Sequence, residues 1–60
     1  MKFECEIDMD NDVFAHEPHF ELSKVIKKIS REVDEIATVK RTKTIWDFNG
    51  NRIGTWKILE

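Results

Sequence analysis

The chain has 60 residues, ten Lys and Arg against twelve Asp and Glu for a formal charge of −2, and a composition 40% hydrophobic and 37% charged. That excludes a multidomain enzyme and describes one small domain that buries only about 60% of the surface its unfolded chain exposes, so self-association is an expected support for a marginal core. The single cysteine, Cys5, has no internal disulfide partner, which points to a reducing cytoplasm. Neither a signal peptide nor an apolar run of about 18 residues is present, so no membrane partner is expected.

Phe3, Cys5, Ile7 and Met9 alternate with Glu4, Glu6, Asp8 and Asp10. This period of two predicts a first strand over about 2 to 10 with one face buried, Cys5 lying on the inward side as a small apolar group. Asp10-Asn11-Asp12 offers turn and cap chemistry, and Pro18 suits the first turn of a helix. Leu22, Val25, Ile26, Ile29, Val33 and Ile36 recur at helical spacing, predicting an amphipathic helix over about 18 to 36. Lys24, Lys27, Lys28 and Arg31 line its opposite face, where Lys28/Glu32 and Arg31/Glu35 are spaced for ion pairs.

Residues from about 38 to 48 and from about 51 to 59 are rich in strand formers and flank Asn49-Gly50, which predicts a closing hairpin with a two-residue type I′ turn. In that register Asp47 faces Arg52, Trp46 faces Ile53 and Ile45 faces Gly54. The expected fold is therefore α+β, a single βαββ domain (residues 1 to 60) with a three-stranded sheet covered on one face by the helix. One arrangement sets the last strand between the other two and antiparallel to both, although the sequence leaves the order open.

The two-residue turn has a consequence for function. It places Ile45, Trp56 and Ile58 on one sheet face and Trp46, Phe48, Ile53 and Leu59 on the other, while the helix can cover only one. An apolar outer face predicts a second chain against it, either another copy in a homodimer or a partner protein. Trp46, Phe48 and Ile53 are the expected anchors, with Glu4, Glu6 and Asp8 as a charged rim. The alternative is a nucleic-acid-binding accessory protein that uses Lys24, Lys27, Lys28, Arg31, Lys40, Arg41 and Lys43 on phosphates, with aromatic rings stacking on bases.

Catalytic, cofactor and metal sites are not expected. Asp8-x-Asp10-x-Asp12 begins like a calcium loop, but Val13 stands where the turn glycine belongs and His19 where a bidentate glutamate is needed. His16, His19 and Cys5 lack the ordered ligand spacing of a zinc site. Ser23 and Ser30 lie outside any nucleophile elbow, and Gly50 and Gly54 do not form a phosphate loop.

The stretch from Ile45 to Trp56 resembles the C-terminal hairpin of small phage and prophage proteins of undefined function. Asp47, Asn49, Gly50, Asn51, Ile53, Gly54 and Trp56 match their Asp-x-Asn-Gly-Asn-x-(Val/Ile)-Gly-x-Trp ending, and the acidic opening strand and single amphipathic helix match their layout. Trp46 departs from the Arg expected there, and the link after the helix lacks the usual glycines. The resemblance implies a phage or prophage origin, expression in a bacterial host, and a non-enzymatic protein that binds a host macromolecule, such as a component of antiviral defence.

Overall fold

A computed structural model describes residues 1–35 and 42–59. Strand β1 (Lys2–Ile7) leads through a 3-10 turn (Asp12–Phe14) into helix α1 (Pro18–Glu35), and strands β2 (Lys43–Trp46) and β3 (Arg52–Leu59) close the chain. The sheet order is β1-β3-β2, with β3 antiparallel to both neighbours. The βαββ order and single three-stranded sheet agree with the sequence reading. The first strand ends earlier than expected because Asp8 turns its carboxylate back to accept the Asp10 N–H at 2.9 Å, an aspartate-stabilised turn that stops extension. Ile36, Lys40, Arg41 and the expected strand residues 38 to 41 lie outside the described residues.

The hairpin differs from expectation in a way that rearranges the core. Gly50 N–H donates to Asp47 O at 3.1 Å and Asp47 N–H donates to Asn51 O at 2.9 Å. Gly50 has a φ of 83°, whereas Asn49 is not left-handed. The loop is thus three residues, Phe48-Asn49-Gly50, a type I turn completed by a left-handed glycine, and not the predicted type I′ turn. Trp46 consequently pairs with Arg52, although Ile45 pairs with Gly54 as expected, because one step along β2 matches two along β3. Ile53 is the extra residue of this bulge.

A bulge breaks strict alternation by rotating the strand locally. Ile53, 3% exposed, accordingly joins Ile45, Trp56, Phe14, Val25 and Ile29 in one buried cluster. Its prediction as an outer-face anchor is therefore corrected: Ile53 is core. The opposite face of the sheet carries the pairs Glu4–Lys57, Glu6–Thr55 and Thr44–Thr55, so it is largely polar and not the apolar surface anticipated.

Trp56 is fully buried, and its Nε1–H donates to Glu32 Oε2 on α1 at 3.2 Å, satisfying the one polar atom of the indole. Glu32 therefore serves the core. Among the described residues neither Lys28–Glu32 nor Arg31–Glu35 closes as an ion pair; Lys24 pairs with Glu21 at 3.4 Å instead.

The buried residues of α1, Val25 and Ile29, pack with side chains of β2 and β3, and no β1 residue belongs to the buried core. Cys5, expected inside, is exposed for this reason. Partial desolvation nevertheless raises its thiol pKa, which keeps it protonated and a poor nucleophile at neutral pH.

Candidate binding surface at the helix–hairpin end

Asn11 links the hairpin tip to the turn that precedes α1. Asn11 caps the 3-10 turn by accepting the Val13 N–H at 3.1 Å, and its side-chain amide donates to Asp47 Oδ2 at 3.0 Å. Asp47, 4% exposed, also accepts the backbone N–H groups of Asn49 (2.8 Å) and Asn51 (2.9 Å) through Oδ1, and the Asn51 side-chain amide through Oδ2 at 3.2 Å. Burial on its own would raise the Asp47 pKa. Donation from the Asn51 backbone and side chain, and then from the Asn49 and Gly50 backbones, outweighs that effect and holds the carboxyl below its ordinary value. The residue expected to face Arg52 is instead the staple between the hairpin and the 3-10 turn.

This anchoring presents Phe48, 72% exposed, and Trp46, 50% exposed, beside the first half of α1. Lys24 Nζ lies 5.2 Å from the Phe20 ring centroid and 5.7 Å from that of Phe48, so one ammonium joins rings from two elements by cation–π attraction. Phe20 is itself 57% exposed. Behind these rings runs a shallow, mainly apolar groove of about 90 Å³ lined by Val13, Val25, Lys24, Lys28, Trp46 and Phe48, among others.

The two residue sets separated by the sequence reading therefore meet: aromatic anchors Trp46 and Phe48 share a groove with Lys24 and Lys28 of the basic set. Lys27 and Arg31 extend that charge along the exposed face of α1. Lys43 stands apart, half-buried on β2 opposite Trp56. The acidic rim does not surround the aromatics. Glu4 pairs with Lys57 at 3.6 Å, while Glu6 and Asp8 line a separate open hollow with Arg52, Gly54 and Thr55.

Phe20 was missed because it lies off the apolar stripe of the helix. Its spacing of four residues from Lys24 was the available signal, since residues so spaced are neighbours on a helical surface. No helix among the described residues is long and apolar enough to cross a membrane. No family model, curated protein or solved structure matches the chain.

Proposed function

We propose that this is a non-enzymatic binding protein whose working surface is the end where the hairpin meets α1. The observation that carries the reading is the gathering of three large exposed rings at one end, Phe20 and Phe48 against Lys24 and Trp46 lining the same groove, on a scaffold held by Asp47. Rings left half or more in water in so small a domain, beside an apolar groove, have the character of interface residues, where aromatic side chains dominate affinity. The resemblance of the hairpin to small phage and prophage proteins supports a bacterial host protein as the partner, with antiviral defence components among the candidates.

Capture of host proteins by the tagged chain, compared with a Trp46→Ala/Phe48→Ala double variant, tests this. The variant should keep its circular dichroism and melting curve and lose its captured partner; undiminished capture would remove the surface from consideration. A second reading, single-stranded nucleic acid as partner, is favoured by Lys24 and Lys28 lining the same groove as Trp46 and Phe48. Oligonucleotide titration at rising salt discriminates the two, because phosphate contacts weaken steeply with ionic strength.

A further inference from the structure

We infer that β1 is an interface between two copies of this chain, joined edge to edge and antiparallel in the register that sets Glu4 opposite Glu4 of the second copy. Among the described residues, strand β1 is at the edge of the sheet and pairs only with β3. The Asp8 N–H donates across to Ile53 O at 2.7 Å. In an antiparallel ladder, residues two apart direct their N–H and C=O groups the same way, so Glu4 and Glu6 also bond toward β3. Phe3, Cys5 and Ile7 therefore turn their backbone groups to the open edge.

The side chains along that edge are those that α1 leaves uncovered. Phe3 is 50% exposed although its ring lies 5.9 Å from Trp56, and Cys5 is exposed beside the same indole. In the stated register Phe3 of each copy opposes Cys5 of the other as a hydrogen-bonded pair, engaging the free backbone groups of both. With the observed pairs Phe3–Ile58 and Cys5–Trp56, the apolar rows then run unbroken across the four central strands of a six-stranded sheet.

The polar face is self-complementary in the same register. Lys2 of each copy opposes Glu6 of the other. The two Glu4 carboxylates meet on the two-fold axis, each beside its own Lys57 at 3.6 Å, so like charges at the centre are flanked by compensating ones. Charged edge strands ordinarily discourage association; here the order Lys2, Glu4, Glu6 pairs opposite signs at both flanks. Sliding by one ladder step in one direction sets Glu4 against Glu6 twice. Sliding in the other direction leaves Cys5, Glu6 and Ile7 without strand partners.

The register makes a specific cross-linking prediction. Glu4 would be a non-hydrogen-bonded pair on the axis, where the opposed side chains come closest. Cys5→Ser/Glu4→Cys should therefore form a covalent dimer under copper–phenanthroline oxidation at least about tenfold faster than Cys5→Ser/Asn49→Cys, whose thiol would sit at the exposed hairpin tip. Light scattering of the unmodified chain should give the mass of two copies. Cys5→Pro, which removes one outward N–H without touching the β1–β3 bonds, should give the mass of one with the circular dichroism kept. A single-copy mass at every concentration, or faster cross-linking through Cys5 itself or through Cys5→Ser/Phe3→Cys, would overturn the proposal. Should Cys5→Pro fail to fold, the ranking of the cross-linking rates alone decides. Apart from the Asn49→Cys comparison, none of these variants touches the helix–hairpin end, so this proposal and the proposed function stand or fall separately.

Discussion

Replacing Gly54 by alanine isolates one demand of this fold. In an ordinary strand the substitution would stabilise by about 0.5–1 kcal/mol, because glycine loses more conformational freedom on folding than alanine. At this position a Cβ would overlap the Glu6 carbonyl oxygen and stand 3.0 Å from both the Glu6 carbonyl carbon and the Ile7 Cα. All three are backbone atoms of the β1 segment, so no side chain can rotate away and β1 itself must shift. Overpacking in a well-packed region costs about 1–3 kcal/mol, and displaced β1–β3 hydrogen bonds place Gly54→Ala at the upper end, about 3 kcal/mol. A domain of this size has roughly 3–9 kcal/mol in total, so the loss is a large share of its stability. With an m-value of about 1 kcal/mol/M, the urea midpoint should fall by about 3 M, or the variant should be unfolded in buffer. Fluorescence of the buried Trp56 reports the transition. Gly50→Ala is the comparison: its Cβ meets nothing within 4 Å, but its φ of 83° is left-handed, so it should cost only about 1–2 kcal/mol. A Gly54→Ala midpoint equal to or above that of the unmodified chain would refute the close approach of β1 to β3.

Other substitutions probe the core and the staple. Ile53→Ala should destabilise by about 2–5 kcal/mol in chemical unfolding, as expected of a core isoleucine and not of an exposed one; a change under about 0.5 kcal/mol would return Ile53 to the surface. Trp56→Phe leaves Glu32 without its indole donor and should cost about 1.5–3 kcal/mol by thermal circular dichroism, while Glu32→Ala in that background should add little; additive losses would deny the hydrogen bond. Trp46→Ala and Phe48→Ala should each stay within about 0.5 kcal/mol of the unmodified chain, because their side chains are half or more exposed. For Asp47 the sign follows from linkage. A carboxyl held below its ordinary value contributes stability that is complete above the unfolded-state pKa of about 4 and is lost as pH falls through the lower folded value. Unfolding midpoints measured from neutral to strongly acid pH should therefore drop below about pH 4, and Asp47→Asn should be less stable at neutral pH with a flatter acid limb; an identical acid limb would contradict the staple.

The fold was readable wherever one local rule acted alone. The alternation from Phe3 to Ile7, the helical spacing from Leu22 to Val33 and the Asn-Gly signal before Arg52 each determine an element without help from the others. The errors share a cause at the hairpin. Asn49-Gly50 suits both a two-residue loop and a three-residue loop ending in a left-handed glycine, and the choice depends on Asp47, whose carboxylate binds the Asn49 and Asn51 N–H groups and the Asn11 side chain. Asn11 lies 36 positions away along the chain, beyond the range of turn propensities. Once the longer loop forms, Trp46 shifts to Arg52 and the bulge carries Ile53 inward.

The same displacement explains why the candidate surface was only half legible. Trp46 and Phe48 were identified by residue type, and Lys24 and Lys28 by helical periodicity, but periodicity within one element says nothing about which neighbour a face meets. The hairpin tip brings them together because Asp47 ties it to the turn that precedes α1. Loss of that tie should move Trp46 and Phe48 away from Lys24 while leaving the sheet paired. Asn11→Ala severs the only side-chain bond from the 3-10 turn segment to Asp47 among the described residues, so it is the substitution that separates assembly of the surface from its chemistry. If the gathered rings and not Trp46 alone make the site, Asn11→Ala should weaken partner capture with every aromatic and lysine intact.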